Sequence, residues 1–134
     1  MIYADSGIIM RWIEGAEEVR APIQSRWQQL SPEDRVFLTS RLSRLECRCK
    51  PLREQQGDLL SLYDAFFAGK EVTVREVDAA VVEKATELRA TIGLKTPDAI
   101  HAATAIVSGV AAFWTTDAAF SKCPELIVEV FTSV

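Results

Sequence analysis

Two kinds of hydrophobic pattern alternate along the chain. Short, continuously apolar runs occur at Ile2-Tyr3-Ala4, Val36-Phe37-Leu38-Thr39-Ser40, Val72-Thr73-Val74, Ala111-Ala112-Phe113-Trp114 and Leu126-Ile127-Val128-Glu129-Val130. Their length and β-branched or aromatic content are those of strands buried on both faces. Between them apolar residues recur every three to four positions, which predicts helices over residues 7–13, 17–30, 41–53, 58–67, 78–91 and 96–108. The third helix carries Leu42, Leu45 and Cys49 on one stripe, the fourth Leu59, Leu62, Tyr63 and Phe66, and the fifth Val81, Val82, Ala85 and Leu88. Ser6 is placed to cap the first helix, and Thr96 to cap the sixth with Pro97 at its first position. Gly15 and Gly93 act as stops, Ser31-Pro32-Glu33-Asp34 as a turn, and Pro51 should kink or end the third helix.

Helices alternating with buried strands imply right-handed βαβ crossovers and a parallel sheet covered on both faces. The expected fold is therefore α/β, a three-layer α/β/α sandwich with a parallel sheet of four to five strands. Neither a repeat nor a Pro/Gly-rich linker divides the chain, so residues 1–134 read as one domain. At 134 residues the chain is long enough to bury a core without disulfides or structural metal. Sheets of this kind bind ligands beyond the C-terminal ends of their strands, near the point where strand order reverses.

Charge narrows the function. The formal net charge is −4 and the pI near 5.0, whereas a protein that coats nucleic acid carries a basic excess. Contact with nucleic acid thus requires a local basic patch or a metal that inverts the local field. Cys47 and Cys49 project about 200° apart on a helix, wrong for joint metal ligation and poor for a disulfide, so Cys47, Cys49 and Cys123 read as reduced thiols. No apolar run approaches the roughly 20 residues of a membrane span, and the N-terminal residues lack a basic leader. A cytoplasmic protein without membrane contact is expected.

Four carboxylates fall where the strand-end rule directs attention. Asp5 ends the first strand, and Glu46 lies in the first two turns of the helix after the second. Asp98 is at the second position of the helix before the fourth strand, and Asp117 follows that strand in Thr115-Thr116-Asp117. Two carboxylates about 5 Å apart repel by roughly 3 kcal/mol at an effective dielectric near 20. Four in one cleft require raised pKa values or a cation. An oxygen-only ligand set selects Mg²⁺ or Mn²⁺ over zinc, and such an ion orients and deprotonates water at a phosphodiester. Taken singly, each acid also suits a solvated or capping role, Asp98 above all at its helix N-terminus.

The residues around these acids resemble a known family. Tyr3-Ala4-Asp5-Ser6, Leu42-Ser43-Arg44-Leu45-Glu46 continuing to Pro51-Leu52-Arg53, Leu88-Arg89-Ala90 and Lys95 through Ala105, and Thr115-Thr116-Asp117-Ala118-Ala119-Phe120 are similar to PIN-domain ribonucleases. Among these the toxins of VapBC-type toxin–antitoxin pairs are most alike. The resemblance spans nearly the whole chain, and the block around Asp98 is its most specific part. It implies a Mg²⁺- or Mn²⁺-dependent endoribonuclease that uses Asp5, Glu46, Asp98 and Asp117 as catalytic and metal-binding acids, with Ser6 and Thr115 as supporting hydroxyls. It further implies a cognate antitoxin and a homodimer. Gly7 stands where the family often has Asn.

Lys50 and Arg53 fall within about 40° of Glu46 on a helical wheel and are candidate grips for RNA phosphates if the helix continues past Pro51; a solvated face is the alternative. Arg41, Arg44 and Arg48 form a second stripe, suited to the surface or to a dimer or antitoxin contact. His101 follows Asp98 by three residues; a general base is conceivable there, against a packed helix residue beside the site. Trp12, Trp27 and Trp114 suit core or interface positions rather than base stacking. Two other functions compete: a PIN-fold RNA- or protein-binding module without turnover, and a phosphotransfer protein with an acidic pocket. Against the second, Gly7 stands where a haloacid-type phosphatase has an Asp, and Lys122 is poorly placed for a receiver.

Overall fold

The computed structural model describes residues 1–132. Five strands, β1 (Ile2–Ala4), β2 (Phe37–Ser40), β3 (Val72–Arg75), β4 (Ala112–Thr115) and β5 (Val128–Val130), form one sheet in the order β3-β2-β1-β4-β5. Every neighbouring pair is parallel, with Tyr3 opposite Leu38 on one side and Phe113 on the other. Six helices cover it: α1 (Ser6–Glu14), α2 (Glu17–Gln28), α3 (Arg41–Arg53), α4 (Gly57–Phe67), α5 (Ala79–Ile92) and α6 (Thr96–Ser108). The α/β sandwich and its five-stranded parallel sheet agree with the pattern in the sequence. Element ends differ by a residue or two, as is usual where terminal turns fray. Among the described residues no helix is long and apolar enough to cross a membrane.

The period-2 alternation of the strands sorts their side chains into two cores. Ile2, Ala4, Phe37, Ala112 and Trp114 point to one face, where Ile8, Ile9, Ile23, Trp27, Cys47, Tyr63 and Phe67 from α1 to α4 pack on them. Tyr3, Leu38 and Phe113 point to the other, against Val81, Ala85 and Leu88 of α5 and the alanines of α6. Ala99, Ala102, Ala103 and Ala105 are all fully buried, so the missing side-chain bulk lets α6 lie close on the sheet.

Several local expectations are corrected. Asp5, not Ser6, caps α1: its Oδ1 accepts the Ile8 N–H at 3.0 Å, and Ser6 is the first helical residue. Lys95 rather than Thr96 occupies the cap of α6, without a side-chain bond, which moves Asp98 to the third helical position. Pro51 does not stop α3, which runs on to Arg53; its ring is buried and the helix closes two residues later. There the Gln56 N–H bonds to the Pro51 carbonyl at 2.9 Å and Gln55 adopts φ 57°, the left-handed closure that glycine usually supplies.

The predicted inward stripe of α3 is also reversed. Ser43, Cys47 and Pro51 are the buried residues, while Leu45 is 64% and Leu52 62% exposed. Polar and small residues win the inner face because Ser43 bonds to Thr39 at 2.7 Å and Cys47 fits beneath α1. Leu62 of α4 and Val82 of α5 likewise face outward. All three cysteines are free thiols, and burial followed by the charge of Glu46 pushes the Cys47 thiol up to about 12.

Candidate active site

Strand order reverses between β1 and β4: from β1 the chain proceeds to β2 and β3 on one side, then returns to β4 on the other. A ligand crevice is expected beyond the C-terminal ends of this pair. The residues that follow those ends are Asp5 and the segment Thr115-Thr116-Asp117. A cleft of about 130 Å³ opens here, lined by Asp5, Ser6, Gly7, Glu46, Asp98, His101, Asp117 and Phe120. The structure thus brings all four sequence-predicted acids to one cleft, and no Lys or Arg lines it.

Helix and turn N-termini hold three of the acids. Asp5 is the cap of α1, Asp98 lies in the first turn of α6, and Asp117 caps the 3₁₀ turn Ala118–Lys122 by accepting the Ala119 N–H at 2.8 Å. Each sits near the positive end of aligned peptide dipoles, which offsets part of their mutual repulsion. Glu46 comes from the second turn of α3 instead, and side chains hold it. Both the Ser6 hydroxyl and His101 Nε2 contact its Oε1 at 2.6 Å.

The four groups differ in environment. Asp5 is 6% exposed; its Oδ2 accepts the Thr115 hydroxyl, and burial raises its carboxyl above the usual range despite the bonds from Thr115 and Ile8. Burial also raises Asp98, assisted by the charge of Asp117. For Glu46 burial acts in the same direction, but the bonds from His101 and Ser6 outweigh it and the carboxyl lies below the usual range. The cleft therefore holds Asp5 and Asp98, whose ionisation burial opposes, beside Glu46, whose charged form His101 and Ser6 favour.

A divalent cation would offset that imbalance. The donor set is oxygen-only, which fits Mg²⁺ or Mn²⁺ and not a soft metal. Among the described residues no group of three or more His, Cys, Asp or Glu side chains is close enough, as the side chains stand, to hold a metal ion; the four carboxylates line the cleft. Asp98 makes no hydrogen bond or ion pair among the described residues, and both contacts to Glu46 fall on Oε1, which leaves Oε2 uncommitted.

The remaining candidates are placed as follows. Ser6 bonds to Glu46, and Thr115 bonds to Asp5 while accepting the Asp117 N–H at 3.0 Å. Lys50 borders a neighbouring groove of about 390 Å³ that shares Glu46 with the cleft. Arg53 lies on the exposed last turn of α3, outside the lining of either. Trp12, Trp27 and Trp114 form an aromatic cluster with Phe37. Sequence reasoning missed the hydrogen bonds of His101: it is 3% exposed and bonded on both ring nitrogens, to Glu46 and to Tyr3. Those partners are 55 and 98 positions away, beyond any local spacing rule.

Three comparisons with known proteins bear on this geometry. Solved structures with the same fold include VapBC2 from Rickettsia felis bound to a DNA fragment from its promoter, with 18% identity and a TM-score of 0.75 over 98% of this chain and 99% of that one. A toxin–antitoxin complex from Klebsiella pneumoniae matches at 18% identity and a TM-score of 0.67 over 99% and 98%. VapC20 from Mycobacterium tuberculosis, described as a sarcin–ricin loop cleaving toxin, matches at 19% and 0.75 over 92% and 95%. A comparison with curated proteins finds no match. The PIN domain model covers residues 2–126, a span that includes all four cleft acids, and the chain belongs to the PIN domain family.

Proposed function

We propose that this chain is a single-domain, Mg²⁺- or Mn²⁺-dependent endoribonuclease that acts as the toxin of a toxin–antitoxin pair. One observation carries the reading: four carboxylates from four distant parts of the sequence line a single cleft at the strand-order reversal, with no basic residue among the lining. Membership of the PIN family and the toxin–antitoxin descriptions of the structural neighbours support it.

Asp5, Glu46, Asp98 and Asp117 would hold the cation. When bound, such an ion lowers the pKa of water and offsets charge that builds on a phosphodiester. Thr115 fixes Asp5 and, through the Asp117 N–H, the start of the loop carrying Asp117. Ser6 and His101 hold Glu46. The buried Phe120 forms an apolar wall that limits water. Lys50 and Arg53, further along α3, bind phosphates of the RNA strand as it leaves the acids.

The partners in this reading are a cognate antitoxin and a second copy of the chain, in the cytoplasm. The outward face of α3 suits the second copy. Leu42, Leu45 and Leu52 line a shallow apolar groove with Cys49 and Val77, and exposed apolar surface of this kind marks protein contact. The flanking guanidiniums are partly neutralised, Arg41 by Glu76 and Arg44 and Arg48 by the shared Asp64, which reduces the repulsion between two copies meeting here.

The test is cleavage of RNA by the purified chain with Mg²⁺ or Mn²⁺, alongside Asp5→Asn and Asp98→Asn. Both variants should lose cleavage with the fold intact, since Asn caps α1 as well as Asp does and the Asp98 side chain makes no hydrogen bond among the described residues. Wild-type cleavage by both would refute the assignment. A binding module without turnover would instead show no tight, acid-dependent Mn²⁺ site by calorimetry.

A further inference from the structure

His101 is the chain's one histidine, and its ring is buried with both nitrogens engaged. Nε2 lies 2.6 Å from Glu46 Oε1, and Nδ1 lies 2.6 Å from the Tyr3 hydroxyl. A carboxylate oxygen only accepts, so Nε2 carries the proton there. Nδ1 then accepts the phenolic O–H, and neither ring nitrogen is left with a lone pair for a water. This arrangement does not suit a general base. It suits a strut. Tyr3 is itself fixed, stacked on Phe113 at 4.8 Å and edge-on to His101 at 5.9 Å, within β1 at the centre of the sheet.

We propose that Tyr3 and His101 are positioning residues for Glu46: the chain of bonds from the Tyr3 O–H through the imidazole holds Oε1 in place and leaves Oε2 free for a cation that the cleft would hold. This rests on the metal-dependent reading of the cleft and deepens it. The Ser6 hydroxyl supplies a second donor to the same Oε1 from α1. Glu46 is the acid that needs such support, because alone among the four it lies at no helix or turn N-terminus. The strut joins three elements, β1, α3 and α6, and two of its members, Glu46 and His101, line the cleft.

The experiment compares wild type with His101→Ala, His101→Gln and Tyr3→Phe. The readouts are Mn²⁺ affinity by calorimetry, the ring nitrogen spectrum of the single histidine, and kcat and KM for RNA. Hydrogen-bond partners of metal ligands are worth roughly 10–100-fold in affinity, so His101→Ala should weaken Mn²⁺ binding within that range. His101→Gln should recover most of it, since its amide can donate to Glu46. Tyr3→Phe should keep the Nε2–H tautomer that Glu46 demands, shift the Nδ1 resonance as that nitrogen loses its donor, and weaken Mn²⁺ severalfold. The variants should lose kcat with little change in KM. Should His101→Ala fail to fold, the Gln and Phe variants carry the same comparison. Wild-type Mn²⁺ affinity in both Tyr3→Phe and the histidine variants, or an Nδ1–H tautomer in the wild type, would overturn the inference. Failure of the nuclease reading appears in the wild type itself, as neither Mn²⁺ uptake nor cleavage. Failure of the strut appears in the variants alone.

Discussion

Thr115 ties two of the cleft acids together: its hydroxyl donates to Asp5 Oδ2 across the junction of β1 and β4, and its oxygen accepts the Asp117 N–H at 3.0 Å. Thr115 is fully buried. Replacing it with the nearly isosteric Val strips a partner from each group without opening a cavity. A buried polar group left unpaired costs about 1–3 kcal/mol. Thr115→Val should therefore lower stability by that order in a denaturant titration and reduce RNA cleavage more than tenfold. Unchanged values for both would show that Asp5 is held by the α1 cap alone.

The unequal acids predict a pH dependence with a definite sign. Burial raises Asp5 and Asp98, so in the interval between the ordinary Asp range and their raised values the folded chain binds more protons than the unfolded chain. Stability from these two groups is present at the acidic end of that interval and is lost as pH rises through it. Glu46, shifted downward, acts oppositely: its contribution is present above the ordinary Glu value and lost as pH falls through the depressed one. With chelator present, thermal melts should show stability falling as pH climbs above the ordinary Asp range. Asp5→Asn should flatten that slope, and Mg²⁺ should restore the wild-type melt at neutral pH. A rising slope in the same window would contradict the burial of Asp5.

What the sequence makes legible follows from range. The five strands and six helices are local patterns, and each was visible in the run of apolar residues or its period. The cleft acids were visible as well, since the strand-end rule converts a linear position into a place on the sheet. Three features were not. Asp5 outcompetes Ser6 as the α1 cap because its Oδ1 reaches the Ile8 N–H while the Ser6 hydroxyl turns to Glu46, 40 positions away. The inner face of α3 goes to Ser43, Cys47 and Pro51 because Thr39 and α1 provide partners that hydrophobicity ranking ignores. The His101 strut depends on two tertiary contacts at once. Each depends on a partner that only folding supplies.

Two of the basic residues of α3, Lys50 and Arg53, differ in setting, and their roles separate by salt. Lys50 is exposed, with only a 4.0 Å contact to Glu54, and borders the groove that shares Glu46. Arg53 stands one turn further, away from the groove lining. Each phosphate contact contributes about one unit to the dependence of log affinity on log salt, slightly less for single strands. Lys50→Ala should weaken binding of RNA to the catalytically silent Asp98→Asn variant and lower that slope by just under one, with Arg53→Ala giving a smaller change. Filter binding across a salt series measures both. A slope that neither substitution alters would place the RNA path elsewhere.

The outward leucines of α3 give a test of assembly. Leu45 and Leu52 stand two turns apart on one exposed ridge, a spacing that lets an equivalent helix pack along it. Leu45→Glu combined with Leu52→Glu should shift the sedimentation profile from dimer to monomer. Because both side chains are already in solvent in the single chain, the melting temperature of the monomer should hardly move. A dimer that survives the double substitution would assign the contact to another face.

Gly7 has a steric explanation that leads to a compensation test. It lies in the first turn of α1 with a negative φ, so its backbone conformation does not call for glycine. The obstacle is a neighbour: a Cβ there would come within 2.5 Å of Thr116 Oγ1, 3.4 Å of Thr116 Cγ2 and 3.5 Å of Asp5 Oδ1. Thr116 sits between Thr115 and Asp117, so pushing it aside disturbs the bonds that hold both acids. Asn at this position is therefore harmful in this chain. Gly7→Asn should destabilise the fold and depress Mn²⁺ affinity, although a non-glycine residue in a helix would otherwise gain up to about 1 kcal/mol. Removing the obstacle with Thr116→Ala should be mild, and Gly7→Asn with Thr116→Ala should recover most of the loss. Residues in contact couple by roughly 0.5–3 kcal/mol in a double-mutant cycle, and that coupling is the quantity to measure. Strictly additive effects would mean that Thr116 swings away freely and that Gly7 is held by something other than this contact.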